Sequence, residues 1–139
     1  MMNSTDEKQQ KISALIHEFK ISNEFIEKIE IFKETITDYS LSEIFIEFLK
    51  YEKLKISFNK IFFIYHEEKN FWTVDVNKIG INRLIDKFSG LIKKYFKIIG
   101  RFDCMDKYNR RIGKHRNMIS VLSIVLYNKE YDNIKINYF

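Results

Sequence analysis

The sequence has no proline, four glycines and a single cysteine among its 139 residues. So few breakers predict long elements joined by turns that depend on Asn, Asp and Ser. One cysteine, Cys104, excludes an intramolecular disulfide and a cysteine metal cluster within the chain, which is typical of a reducing compartment. No apolar run approaches the length of about eighteen residues that spans a bilayer, and the start MMNSTDEKQQ lacks the apolar core of a signal peptide. We therefore expect a cytoplasmic protein without a membrane partner.

Apolar side chains, by contrast, are plentiful. Hydrophobic residues make up 45% of the chain and aromatic residues 16%, including thirteen Phe and eight Tyr. This is enough apolar surface to offset the entropy of folding, and the length suits one hydrophobic core rather than two. Residues 1–139 are therefore predicted to form a single domain.

Three helices are predicted in the first part of the chain. Apolar residues recur at helical intervals in residues 5–19, in a second segment that begins at Ser22 or Asn23, and in a third from Ser40 to about Glu52. Ser40 and Glu43 have the spacing of a capping box, which predicts the start of the third helix.

Strands are predicted where the period changes. Residues 54–66 alternate and then become rich in aromatic and β-branched residues, so they are predicted as one strand that pairs with residues 71–76 across the polar connection 67–70. Residues 78–99 have the strongest helical period of the chain. Residues 118–127 suit either a strand or a helix, and a closing strand follows them. The predicted class is α+β: N-terminal helices, a β-hairpin, a long amphipathic basic helix and a C-terminal β-hairpin.

Positive charge is concentrated in one segment. Residues 78–116 hold twelve Lys/Arg and three Asp, a net charge of +9, whereas residues 1–77 hold ten Lys/Arg and fourteen Asp/Glu, a net charge of −4. Such a density of cations attracts polyanions. The alternative is a solvated face, or one that neutralises the acidic helices of the same chain or of a second copy.

The candidate binding residues follow from this charge pattern. Helical spacing places several of them opposite the apolar arc of residues 78–99, and the others lie in residues 101–117, which are predicted as a loop. They are Arg83, Lys87, Lys94, Lys97, Arg101, Tyr108, Arg110, Arg111, Lys114, His115 and Arg116. We expect them to form one contiguous positive surface that binds a nucleic acid, a nucleotide or a ribonucleoprotein.

The predicted loop 101–117 has features of a phosphate cradle. If Asp103 or Asp106 caps a short helix, backbone N–H groups would face an anion beside the arginines. Gly113 would let a phosphate approach the backbone closely. Phe102 and Tyr108 are candidate stacking surfaces for a base. The glycine patterns of phosphate loops and dinucleotide folds are absent from the sequence.

The run DKYNRRIGK at positions 106–114 resembles an Asp-x-Phe-Asn-Arg-Lys-x-Gly-Arg signature of small proteins from phages and mobile elements. Cys104 stands two residues before the motif, nearer than the cysteine of that signature, and the downstream Ala and Arg are missing. The resemblance implies an accessory protein that binds and blocks host defence machinery, as anti-CRISPR proteins do. A host nuclease is then a further candidate partner.

Two other function classes stay open. Arg110 and His115 resemble the Arg-x4-His signature of HEPN ribonucleases, in which His acts in acid–base catalysis and Arg stabilises a charged phosphorane, across a homodimer interface. The third class is a protein-interaction module that docks through the faces of Phe25, Phe32 and Phe45 in residues 5–52. We favour a non-enzymatic protein with no cofactor, and no metal site is predicted because the three histidines lack a ligand spacing.

Overall fold

The computed structural model describes residues 4–59 and 61–112. Its elements are α1 (Ser4–Phe19), α2 (Asn23–Glu34), α3 (Asp38–Tyr51), β1 (Leu54–Asn59), β2 (Ile61–His66), β3 (Phe71–Val74), a 3-10 turn (Val76–Lys78), α4 (Ile79–Ile98) and α5 (Phe102–Ile112). Five helices and a three-stranded antiparallel sheet confirm the α+β class. Among the described helices, none combines the length and the apolarity that crossing a bilayer requires. The predicted C-terminal hairpin and residues 118–127 lie outside the described residues.

The caps of α2 and α3 come from short polar side chains. Ser22 Oγ accepts a hydrogen bond from Phe25 N at 3.4 Å, so α2 starts at Asn23, as predicted. The predicted start of α3 was wrong by two residues, because Thr37 and Ser40 form the capping box instead of Ser40 and Glu43. Thr37 Oγ1 accepts from Ser40 N at 3.1 Å and Ser40 Oγ accepts from Thr37 N at 2.9 Å.

The sheet corrects the prediction of one strand over residues 54–66. Residues 54–59 and 61–66 are two strands that pair antiparallel, from Leu54↔His66 to Asn59↔Ile61, and β2 pairs with β3 in turn. Both arms have strand-forming residues, and periodicity alone does not show a reversal between them. Ile56, Phe62 and Ile64 enter the core from one face of this sheet.

The third strand is also shorter than predicted. It ends at Val74, and Val76 belongs to the 3-10 turn that leads into α4. Asp75 lies between the two elements, and its carboxylate accepts hydrogen bonds from Gly80 N at 2.7 Å and Ile81 N at 3.0 Å. The strand therefore ends at Val74, and the side chain of the next residue, Asp75, caps α4.

The apolar arc of α4 forms the middle of the core. Its buried residues are Ile81, Leu84, Ile85, Phe88, Leu91, Ile92, Tyr95 and Phe96, as the helical period predicted. Phe88 contacts Phe45 and Phe48 of α3 at ring-centroid distances of 5.3 and 5.5 Å. Burying each such ring contributes roughly 1.5 to 3 kcal/mol. The helices α1, α2 and α3 have weaker apolar periodicity than α4, and they share one core because they pack around it.

The faces of Phe25, Phe32 and Phe45 are not available for docking. These three side chains are buried, with exposures of 0%, 4% and 0%. The prediction that they form a protein-interaction surface was wrong, because these rings pack within the chain. Phe32 and Phe45 contact α4, and Phe25 contacts α3.

Residues 102–112 are helical, so the prediction of a loop there was wrong. Cys104, Tyr108 and Ile112 lie four residues apart and form a narrow buried stripe on α5. Tyr108 packs edge-on against Phe88 at 6.3 Å and its hydroxyl is 2.7 Å from Ser89 Oγ. These contacts fix α5 on α4. The run was predicted as a loop because of its charge, and its buried stripe consists of only three of its eleven residues.

Candidate nucleic-acid interface

Four of the predicted binding residues form ion pairs within the chain. Lys87 Nζ lies 2.6 Å from Glu52, Lys94 Nζ 2.7 Å from Glu18, Arg101 Nε 3.0 Å from Asp103, and Arg111 Nη1 3.5 Å from Asp38. Three of these carboxylates, those of Glu18, Asp38 and Glu52, belong to the acidic residues 1–77. Part of the basic charge therefore neutralises acidic residues of the same chain, which was the alternative that the charge pattern left open.

These pairs hold their cations only weakly. The side chains of Lys94 and Glu18 are 54% and 52% exposed, and exposed ion pairs contribute about 0 to 1 kcal/mol each. Asp38 Oδ1 is buried without a hydrogen bond, so its contact with Arg111 is an ion pair with poor hydrogen-bond geometry. Exposed cations of this kind can exchange a carboxylate for a phosphate at small cost.

Lys94 and Lys97 meet in a groove between α1 and the C-terminal half of α4. We call it the α1–α4 groove; its volume is about 460 Å³, and it is lined by Lys11, Ala14, Leu15, Glu18, Lys94, Lys97, Ile98 and Phe102. The floor is apolar and the rim carries three lysines and one glutamate, so the groove has a net positive charge.

Phe102 gives this groove an exposed aromatic ring. It is the first residue of α5, and it is 54% exposed although most aromatic residues of the described chain are buried. The ammonium group of Lys94 also lies 5.5 Å from the centroid of the Phe19 ring. Aromatic surface and ammonium groups therefore alternate along the same side of the molecule. Phe102 stays a predicted stacking surface, and no other described residue forms a ring contact with it.

Tyr108 does not belong to the site. Its side chain is 0% exposed and bonded to Ser89, so no ring face is available to a base. Burial raises the pKa of its hydroxyl well above the ordinary value. The prediction of Tyr108 as a binding residue was wrong, because the helical spacing of α5 turns it into the core.

Cys104 has no features of a reactive thiol. It is fully buried, its Sγ lies 3.8 Å from the Lys33 carbonyl oxygen, and burial raises the pKa of the thiol. It fills space between α5 and α2.

The other predicted residues do not gather at the groove. Arg83 is exposed on α4, Arg110 and Arg111 are exposed on α5, and Lys87 lines a separate cavity. Gly113, Lys114, His115 and Arg116 lie outside the described residues. In the ranges 4–59 and 61–112, no three His, Cys, Asp or Glu side chains are grouped as metal ligands.

Asp103 is fixed by Arg101 at the start of α5. Arg101 Nε and Nη2 donate to its two carboxylate oxygens at 3.0 and 3.1 Å. This contact lowers the pKa of Asp103 to about 2. Asp103 lies in the first turn of the helix and not before it, so the predicted anion site behind an aspartate cap is not formed by this residue.

Sequence reasoning missed Lys11, Ala14 and Leu15. They belong to α1, which was predicted as an amphipathic helix in the acidic half of the chain. The one signal was Lys11 itself, a cation on the polar side of that helix. That α1 lies against the polar face of α4 depends on tertiary packing, which the period of α1 does not specify.

Comparison of the chain with protein-family models, with curated proteins and with solved structures finds no match. The function proposed below therefore rests on the geometry and charge of the chain itself.

Proposed function

We propose that this protein binds single-stranded nucleic acid, free or within a ribonucleoprotein, through the α1–α4 groove and without catalysis. The observation that carries the proposal is the position of the half-exposed Phe102 ring beside Lys11, Lys94 and Lys97 in one groove with an apolar floor. Proteins that bind single strands combine cations that follow the backbone with aromatic rings on which bases stack. A duplex offers no unstacked base to Phe102, so single strands suit the groove better.

The ion pair between Lys94 and Glu18 fits this role. When the groove is empty, Glu18 neutralises Lys94 at 2.7 Å. When a phosphate is present, the lysine can turn to the phosphate, and the exposed glutamate returns to solvent. Glu18 then limits weak binding of other anions.

Fluorescence anisotropy with labelled single-stranded RNA and DNA and with a duplex of the same sequence tests the proposal. Phe102→Ala should weaken single-strand binding about tenfold, since stacking on an aromatic ring contributes roughly 1 to 3 kcal/mol per base. Lys97→Ala should also weaken it, and the log–log salt slope should become less negative by about 0.7 for each phosphate that the variant no longer neutralises.

Lys93→Ala is the matched control. Lys93 is exposed on the same helix, carries the same charge, and does not line the groove. Its substitution should leave the affinity nearly unchanged. If Lys93→Ala and Lys97→Ala weaken binding equally, the charge of α4 acts without the groove and the proposal fails.

The wider role that we propose is inhibition of host defence by a phage-type accessory protein, and it depends on the resemblance at positions 106–114. Positions 106–112 lie in α5, where Tyr108 and Ile112 are buried and Arg110 is exposed. The exposed part of the motif is thus available to a target. Pull-down from a bacterial lysate, with and without nuclease treatment, tests whether a captured partner is held through nucleic acid.

A further inference from the structure

A second cavity lies where the C-terminal ends of α1 and α3 meet the β2–β3 turn and α4. Its volume is about 370 Å³, within the range of small-molecule sites. Phe19, Tyr51 and Leu54 supply apolar wall, and His66 lies among the polar residues that line it. We call it the four-lysine cavity.

Four lysines from four different elements line this cavity. Lys20 follows α1, Lys53 follows α3, Lys69 lies in the β2–β3 turn and Lys87 lies on α4. Among the described residues, none that lines the cavity is an arginine. Segments far apart in sequence thus bring the same functional group to one place.

The carboxylates of the cavity do not neutralise all four lysines. Glu52 pairs with Lys87 at 2.6 Å and Glu68 pairs with Lys53 at 2.9 Å. The third carboxylate, Glu18, pairs with Lys94 outside the cavity. Within the part of the chain that the structure describes, Lys20 and Lys69 have no carboxylate at salt-bridge distance, although Lys69 attracts its neighbour Glu68 through space.

Two of these lysines occupy backbone positions that favour glycine. Lys20 has a φ of 54° and Lys53 a φ of 56°, both in the left-handed region. Lys20 closes α1 as glycine commonly does, with its N–H donating to the His17 carbonyl at 3.3 Å and the Ile21 N–H to the Ile16 carbonyl at 3.1 Å. The fold therefore tolerates backbone strain at two positions whose side chains reach the same cavity.

We propose that the four-lysine cavity binds a small phosphorylated molecule, with its phosphate held by Lys20 and Lys69. Lysine binds phosphate as a point charge, whereas planar carboxylate recognition favours arginine. The apolar wall of Phe19, Tyr51 and Leu54 receives the remainder of the ligand. Neither Lys20 nor Lys69 lines the α1–α4 groove, whereas Glu18 lines both sites.

Isothermal titration calorimetry tests the proposal with adenosine monophosphate, ribose 5-phosphate and glucose 6-phosphate, each beside its dephosphorylated counterpart. We expect saturable binding of at least one phosphate and at least a tenfold loss of affinity without the phosphate. Absence of saturable binding for all three phosphates overturns the proposal.

Lys20→Gly separates ligand binding from folding. Glycine relieves the strain at a φ of 54°, so the melting temperature should rise by a few degrees. The same change removes one ammonium group, so the affinity for the phosphate should fall about tenfold. A variant that binds as tightly as the wild type overturns the proposal, and its raised melting temperature shows that the protein is folded.

Lys78→Gly is the matched control. Lys78 is also a left-handed lysine, with a φ of 60°, and it lies outside the cavity. Its substitution should raise the melting temperature similarly and leave the affinity unchanged. Equal losses of affinity in Lys20→Gly and Lys78→Gly would show that net charge alone attracts the ligand and would overturn the site.

Discussion

The two ends of α4 are fixed in different ways. At the start, the Asp75 carboxylate caps the helix, and Gly80 lies so close to the sheet that an added Cβ would be 2.8 Å from Ile64 Cδ1 and 2.9 Å from Asp75 Oδ1. At the end, the N–H of Gly100 donates to the Lys97 carbonyl at 3.2 Å and that of Arg101 to the Phe96 carbonyl at 2.9 Å.

The start of α4 is fixed by tertiary contacts, whereas its end is fixed by local backbone conformation. The start is joined to β2 and to the residue after β3, so its glycine is required by close packing. At the end, Gly100 has a φ of +72°, and no atom of residues 4–59 or 61–112 lies within 4 Å of an added Cβ. Its glycine is required by backbone conformation alone. The same residue type therefore has two physical roles at the two ends.

The largest effect is expected for Gly80→Ala. The new methyl group overlaps Ile64 and the capping carboxylate, and overpacking of this kind costs about 1 to 3 kcal/mol. Urea denaturation should show a lower free energy of unfolding with an unchanged slope.

A double-mutant cycle with Ile64→Val tests the cause. Valine lacks Cδ1, so it should cost less in the Gly80→Ala background than in the wild type. Additive losses would show that the contact with Ile64 is not the source of the effect.

A smaller loss is expected for Gly100→Ala. The described residues leave space for the methyl group, so the cost is that of the left-handed backbone, about 1 kcal/mol. Gly100→Asn should cost less, because asparagine tolerates this region better. Equal costs for alanine and asparagine in thermal unfolding would contradict this explanation.

Gly90, in the middle of α4, should respond with the opposite sign. An added Cβ would lie 3.9 Å from Phe19 Cζ, an ordinary contact, and its φ is not in the left-handed region. Gly90→Ala should therefore stabilise the protein by about 0.5 to 1 kcal/mol through helix propensity. A loss of stability in the same denaturation assay would show that α1 packs more tightly on α4 than this distance indicates.

The last prediction concerns the pKa of the aspartate beyond the end of α4. Asp103, which follows the end of α4, is paired with Arg101, and NMR titration should give its carboxyl a pKa of about 2. Because this pKa is lowered on folding, the stabilisation is present above the ordinary carboxyl pKa and is lost as the pH falls through about 2. Arg101→Gln should move the midpoint up towards the ordinary value. If the midpoint does not change, backbone N–H groups of α5, and not Arg101, lower the pKa of Asp103.

Periodicity predicted the elements whose apolar faces are wide. The arc of α4 from Ile81 to Phe96 is buried as predicted, and the hairpin across residues 67–70 is present. It failed where the signal was uniform or narrow. Residues 54–66 favour strand throughout, so their pattern does not show that the chain reverses direction between Asn59 and Ile61. In α5, only three positions are buried.

The candidate site was predicted in part. Lys94 and Lys97 were named from charge and helical spacing, and Phe102 was named as a stacking ring of the predicted loop; all three line the α1–α4 groove. Tyr108 was named by the same reasoning and is buried, since a helix replaced the expected loop. Lys11 was missed because charge counted along the chain assigns it to an acidic segment.

The sequence alone determined the α+β class, the apolar arc of α4 and the concentration of cations in residues 78–116. These follow from local period and composition, which act over a few residues. Tertiary structure decided which cations are paired within the chain, which aromatic rings remain exposed, and that Lys20, Lys53, Lys69 and Lys87 line one cavity. Such proximity depends on how helices and strands pack across long separations, because each amphipathic face specifies burial and leaves its partner unspecified.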